Sequence, residues 1–214
     1  MKLEINVPDS LSEITLGQYQ KFLRIDHSDE QFVAQKMLEI FCGIKLTDAM
    51  RMPLKDVRAI INLINDLLDQ KPKLVRKFTL HDRQYGFIPQ LDQISFGEYI
   101  DLDTYIGDWE NMHKAMAVLY RPIKNSYGER YNIIDYEIMD AEVYRSIPMD
   151  AVISSILFFW NLGNELVQSM LTSLEQGEES RIVQYLNSGE NGAGMDRYTH
   201  LLKETLNNLN ISLH

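Results

Sequence analysis

The sequence predicts a mainly helical protein of the α+β class, with a small antiparallel sheet near its N-terminal half. Two observations predict this class. Apolar residues recur at helical spacing over long stretches of the 214 residues, most regularly from Leu54 to Leu68. Between Phe78 and Phe87, by contrast, apolar and polar residues alternate on both sides of a short polar turn, which is typical of a hairpin. We therefore expect about half of the residues in helices.

The N-terminal segment is predicted to supply an edge strand and a first helix. The alternation of apolar and polar residues from Leu3 to Val7 predicts a strand that joins the hairpin. Thr15 is placed to cap a helix that runs to about Asp26. The first helix therefore follows the strand after a short turn.

Two further helices are predicted before the hairpin. Ser28 and Gln31 have the spacing of a capping box, and Gly43 is a suitable C-terminal stop for the helix that starts there. Pro53 suits the first position of the next helix, whose apolar stripe runs from Leu54 to Leu68. We expect this stripe to face the core.

The central stretch from Leu91 to Tyr120 predicts two consecutive helices. Ser95 and Glu98 form a capping box for the first, and Asp108 is the predicted cap of the second. The second helix carries one apolar stripe, formed by Trp109, Met112, Met116 and Leu119. Such a stripe usually belongs to the core, and a groove for a partner helix is the alternative because methionine adapts its shape.

The same local pattern occurs twice in the chain. Residues 11–19, LSEITLGQY, align without gaps on residues 91–99, LDQISFGEY. Both copies have a threonine or serine cap, and both have glycine at the second helical position, where helix propensity disfavours it. Two helix starts that converged on one capping solution would explain this likeness, and so would a duplicated unit. Both explanations remain open.

The C-terminal part predicts a second hairpin and a long helix. Residues 123–136 suit a hairpin with its turn near Gly128, and Asp140 is placed to cap a short helix that ends at Ile147. Pro148 opens a helix to about Gln176, with Gly163 as a weak point, and a last helical pair covers residues 180–186 and 195–209. Residues 1–147 and 148–214 could be two units, but we expect the C-terminal helices to pack as part of the same domain.

Composition argues against several classes of protein. The net charge of −10 and the pI near 4.9 oppose nucleic-acid binding and docking on anionic membranes. Cys42 is the only cysteine, the N-terminus lacks a signal peptide, and the apolar run at residues 151–160 is too short to span a bilayer. We therefore expect a soluble, non-secreted protein. A nucleic-acid-associated regulator stays open only if one face unites the basic side chains of Arg51, Lys55, Arg58, Lys71, Lys73, Arg76 and Lys77.

The search for catalytic and metal-binding patterns gives no candidate. The acidic group at Glu98, Asp101, Asp103 and Asp108 does not fit a calcium loop, because isoleucine stands where that loop needs glycine. The histidines lack the spacing of zinc ligands, and Cys42 lacks a neighbouring base and is expected to be buried. We therefore expect no enzymatic activity, no metal and no cofactor.

The segments at residues 111–123 and 131–136 resemble small proteins from the morphogenesis modules of tailed bacteriophages, and the likeness covers residues 94–136 together with residues 5–15. The chain is similar to tail assembly chaperones and to small neck or head–tail connector subunits in its general residue pattern, and not through a motif with a known mechanism. The resemblance implies a non-enzymatic virion-assembly protein that contacts other phage structural or tail proteins, with a homo-oligomer as a further option. A chaperone would act in the host cytoplasm, whereas a connector would stay in the virion. The candidate partner-binding residues are aromatic, namely Tyr99, Tyr105, Trp109 and Tyr120.

Overall fold

The computed structural model describes residues 5–137 and 141–175, and their side chains as far as residue 164. It is mainly helical with one small antiparallel sheet, which confirms the predicted fold class. The α-helices contain about half of the described residues, as predicted. Within the described ranges the α-helices are α1 (Leu16–Leu23), α2 (Glu30–Cys42), α3 (Leu46–Ala49), α4 (Leu54–Leu68), α5 (Phe96–Tyr105), α6 (Met112–Leu119) and α7 (Met149–Glu175).

The sheet contains four antiparallel strands in the order of the chain: β1 (Lys77–Leu80), β2 (Arg83–Phe87), β3 (Tyr120–Tyr127) and β4 (Arg130–Ile133). Both predicted hairpins are confirmed. The first hairpin turns through His81 and Asp82, which both have positive φ angles, 48° and 60°. A two-residue turn with two positive φ angles matches the right-handed twist of the strands that it joins. The predicted N-terminal strand is wrong for its described part, since residues 5–7 lie outside the sheet. Ile5 and Val7 instead line a cavity with residues of α3 and α4.

Two helix starts differ from the prediction because aspartate side chains bind the backbone there. Asp29 caps α2 in place of Ser28, since its carboxylate accepts the N–H groups of Gln31 and Phe32. Asp108 does not cap α6. Its carboxylate accepts the N–H of Glu110 at 3.0 Å and so forms a turn that delays the helix until Met112.

The core lies between the sheet, α6 and the first half of α7. Met112, Met116 and Leu119 are fully buried, so this part of the predicted stripe belongs to the core. The apolar run at residues 151–160 forms the buried half of α7, and the helix continues through Gly163 without a break. The stripe of α4 is less complete than predicted, because Leu54 at its start is largely exposed.

Tyr120 joins three parts of the chain inside this core. Its hydroxyl donates to the carbonyl of Val75 at 2.8 Å and to that of Ala151 at 3.2 Å. The second contact attaches α7 to the strand that follows α6. Asp140 and the last predicted helical pair lie outside the described residues, so their predictions stay open.

Candidate protein-binding site at the first turn of α5

The repeated sequence pattern forms the same local structure twice. A short 3-10 turn at Leu11–Glu13 precedes α1, and an equivalent turn at Leu91–Gln93 precedes α5. In each case one extended isoleucine leads into a complete capping box on Thr15 or Ser95. The repeat is therefore structural as well as sequential. We name the two copies the first and the second helix start.

The first helix start contacts the short link between the 3-10 helix Ala141–Ser146 and α7, in which Ile147 and Pro148 are the two non-helical residues. The N–H of Leu16 donates to the carbonyl of Ile147 at 2.9 Å, and the N–H of Met149 donates to the carbonyl of Ile14 at 2.8 Å. These two bonds enclose an antiparallel bridge between Thr15 and Pro148. Proline is acceptable at the centre of the bridge because neither bond uses its missing N–H group.

Gly17 makes this close contact possible. A Cβ atom at this position would lie 2.9 Å from the carbonyl oxygen of Arg145 and 3.2 Å from its Cβ. The first distance is shorter than a side chain can accept. Gly17 is thus required by the segment that crosses the helix start, which explains a residue that helix propensity alone disfavours.

The second helix start has the same binding groups, and in the described part of the chain nothing binds them. The N–H of Phe96 and the carbonyl of Ile94 have no backbone partner among these residues. A Cβ atom on Gly97 would meet nothing within 4 Å. The groups that the first copy uses to hold a peptide segment are therefore open in the second.

Equivalent side chains are buried at the first helix start and exposed at the second. On α1 the residues Leu16, Tyr19 and Gln20 are at most 6 % exposed. The equivalent residues of α5 are exposed by 78 % at Phe96, 41 % at Tyr99 and 44 % at Ile100. We call these three side chains the apolar face of α5. They follow the spacing i, i+3, i+4 and so lie on one side of the helix.

A buried ion pair fixes α5 to the sheet below this face. Glu98 and Arg121 lie 2.6 Å apart, with side chains only 8 % and 9 % exposed. The second carboxylate oxygen of Glu98 accepts the N–H of Ser95 at 2.6 Å and completes the capping box. Burial alone would raise the pKa of Glu98, but its hydrogen bonds with Ser95 and the charge of Arg121 lower the pKa below its ordinary value.

A cavity of about 440 Å³ opens beside the second helix start. Ile94, Ser95 and Glu98 line it on the side of α5, and Arg121 and Tyr136 line it on the side of the sheet. The Nε atom of Arg121 is fully buried and has no hydrogen-bond partner among the described residues.

The structure distributes the four predicted partner-binding residues over different environments. Tyr120 is fully buried, and both of its hydrogen bonds hold the core together, so it cannot reach a partner. Trp109 is half-buried against the ring of Tyr19 at 4.9 Å. Tyr105 is half-buried with the ammonium of Lys114 over its ring. Tyr99 alone among the four belongs to the apolar face of α5.

Sequence analysis missed Phe96 and Ile100, although a signal for them exists. Helix α5 and its C-cap residue Ile106 carry two apolar groups, one at Phe96, Tyr99 and Ile100 and the other at Leu102 and Ile106. A short helix at the surface normally buries one side, so one of the two groups had to remain uncovered or face a partner. Arg121 carries no comparable signal, because its burial depends on the tertiary fold.

Metal-ligating side chains do not cluster in the described residues. Within them, no three side chains of His, Cys, Asp or Glu come together as a metal site requires. His113 is buried, and burial followed by the charge of Arg145 lowers its pKa. Burial raises the pKa of Cys42 to about 11, which opposes a thiolate nucleophile.

Across residues 5–137 and 141–175, every helix falls short of the length and hydropathy that crossing a membrane would require. The second helix start is the candidate site, because its apolar side chains are exposed and its backbone groups have no partner among the described residues. No protein-family model, no curated protein and no solved structure matches this chain.

Proposed function

We propose that the protein is a non-enzymatic assembly factor of a tailed bacteriophage, similar in its action to a tail assembly chaperone. It works by non-covalent association with another structural or tail protein. The observation that carries the proposed mode of action is the apolar face of α5, whose three large side chains are between 41 % and 78 % exposed. The phage context rests on the resemblance of residues 5–15, 111–123 and 131–136 to morphogenesis proteins.

The apolar face of α5 is suited to protein binding on physical grounds. Two aromatic rings and one isoleucine side by side expose apolar area that water does not solvate favourably. Aromatic side chains at the centre of an interface contribute a large share of its binding energy. The net charge of −10 favours a partner whose contact surface is basic around this apolar centre.

The experiment is an affinity purification of the full chain from cells that also express the neighbouring genes. We expect a phage tail or head protein, identified by mass spectrometry, to co-purify with the wild-type chain. Phe96→Asp should abolish the association by placing a charge at the centre of the apolar face. Tyr127→Asp is the matched control, because Tyr127 is an equally exposed aromatic residue, at 77 %, in the β3–β4 hairpin.

Four outcomes separate the alternatives. Retention of the phage partner by Phe96→Asp would contradict the role of α5, as would its loss in Tyr127→Asp. Mass spectrometry of purified particles then separates a chaperone, which leaves the virion, from a connector subunit, which stays in it. A measurable catalytic turnover by the purified chain would contradict a non-enzymatic function.

A further inference from the structure

We infer that the second helix start binds a short proline-containing segment of a partner protein, in the way that the first helix start binds the link at Ile147 and Pro148. The segment would pair antiparallel with Ile94–Phe96 and carry proline between two apolar residues. This inference rests on the proposed function, since it specifies the chemistry of the partner at α5. It is drawn from the comparison of two copies of one structural unit within the same molecule.

The two helix starts present the same backbone groups, which are used in the first copy and open in the second. At the first helix start, Leu16 supplies an N–H and Ile14 a carbonyl to the bound segment. At the second, the equivalent groups of Phe96 and Ile94 have no partner among the described residues. Addition of a strand-like peptide to such groups is a common mode of recognition, in which backbone bonds give affinity and side-chain pockets give specificity.

Glycine leaves space for a crossing backbone at both helix starts. Gly17 leaves room for the backbone of Arg145, which would otherwise lie 2.9 Å from a Cβ atom. Gly97 leaves the same room, but the described structure places nothing there within 4 Å. Alanine would be the better helix former at a position that only faces water. A partner backbone that crosses α5 as residues 145–149 cross α1 accounts for glycine at this position.

The differences between the copies indicate which side chains the partner segment carries. Arg145 in the first copy donates a hydrogen bond to Gln20, whereas the equivalent residue of α5 is the exposed Ile100. An apolar residue is therefore expected in the partner where the chain itself has arginine.

The test uses a synthetic peptide as the partner segment. Its sequence is that of residues 144–150 of this chain with the substitution Arg145→Leu, and its ends are blocked. Titration into the full-length, ¹⁵N-labelled protein should give saturable shifts of the Phe96 and Gly97 amide signals. The unsubstituted peptide with arginine should bind more weakly, because Ile100 offers the arginine no hydrogen-bond acceptor.

Two protein variants test the backbone contacts without disturbing the fold. Phe96→Pro removes the N–H at the first helical position, where proline is well tolerated, and the φ of −70° and ψ of 160° at Ser95 suit a residue before proline. Phe96→Ala is its matched control, since it removes the ring and keeps the N–H. We expect Phe96→Pro to bind about tenfold more weakly than Phe96→Ala. Gly97→Ala should also weaken binding about tenfold or more while melting no lower than wild type.

Equal peptide affinity of wild type, Phe96→Pro and Gly97→Ala would overturn the inference, as would the absence of any shift at Phe96. Protection of the Phe96 amide from hydrogen exchange in the free protein would also overturn it, because the chain itself or a second copy would then occupy the site. The outcome is separable from that of the proposed function. A phage partner lost in Phe96→Asp, together with no peptide binding, would retain the function and reject the proline-containing segment.

Discussion

Two equivalent glycines, Gly17 and Gly97, have different surroundings in this protein. Gly17 and Gly97 both stand at the second position of a helix that a capping box starts. At Gly17 the absence of a side chain admits the backbone of Arg145, whereas at Gly97 the space above the helix is empty in the described structure. Identical residues in identical local structures therefore differ only in what the tertiary fold brings against them.

Replacing each glycine by alanine should change stability in opposite directions. We expect Gly17→Ala to lower the free energy of unfolding by about 1–3 kcal/mol, since the new Cβ forces the bound segment away. Gly97→Ala should raise it by up to about 1 kcal/mol through better helix propensity. Urea unfolding of the two variants beside wild type measures both effects. A destabilised Gly97→Ala would show that another part of the protein already occupies that space.

At these helix starts, local structure could be predicted from the sequence, whereas burial could not. Both capping boxes are predictable, because a cap and its third residue interact within one turn. The exposure of Phe96 is not predictable from the alignment, because the equivalent Leu16 is fully buried. Periodicity identifies apolar residues on one side of a helix, but the element that covers them is distant in sequence. The same limit applies to Tyr120, whose burial depends on contacts with Val75 and Ala151.

At the scale of elements, the Glu98–Arg121 pair fixes the orientation of α5 on the sheet. The equivalent capping residue of α1, Gln18, makes a neutral contact instead, since its amide donates to the carbonyl of Ile40 at 2.9 Å. Each helix start is thus attached to its neighbour through its capping box. The ion pair below α5 holds the apolar face outward without using any of its three side chains.

The ion pair makes stability depend on pH. The folded-state pKa of Glu98 lies below its ordinary value of 4.5, so its contribution is complete above that value and is lost as the pH falls through the folded-state pKa. Glu98→Gln should remove this part of the acid dependence and lower stability by about 3–5 kcal/mol, because Arg121 would stay buried without its counter-charge. Urea unfolding between about pH 3 and 7 measures both.

The exposed pair of Arg24 and Glu110 supplies the control for this measurement. The two side chains also lie 2.6 Å apart, but both are more than half exposed. Glu110→Gln should therefore leave stability close to that of wild type, because water screens the interaction. If Glu98→Gln and Glu110→Gln had equal effects, the Glu98–Arg121 pair would not be buried in solution.

At the scale of the whole molecule, the position of α7 decides whether residues 1–147 and 148–214 behave as one domain. The start of α7 is attached to the first helix start by the bond from Met149 to Ile14 and to β3 by the hydroxyl of Tyr120. Its first half is buried as far as Trp160. These contacts cross the predicted boundary at Pro148 and should couple the unfolding of the two parts.

The two tryptophans of the chain allow this coupling to be measured, because Trp109 precedes the boundary and Trp160 follows it. The variants Trp160→Phe and Trp109→Phe each leave one fluorescent reporter, and the Tyr120→Phe substitution is added to both. We expect Tyr120→Phe to lower the unfolding free energy by about 1–3 kcal/mol, since the carbonyls of Val75 and Ala151 lose their common donor. In one cooperative domain both reporters must show the same shift of the urea midpoint. A shift seen by only one tryptophan would divide the chain into two independently unfolding units at Pro148, and α7 would then be a separate module beside the α5 site.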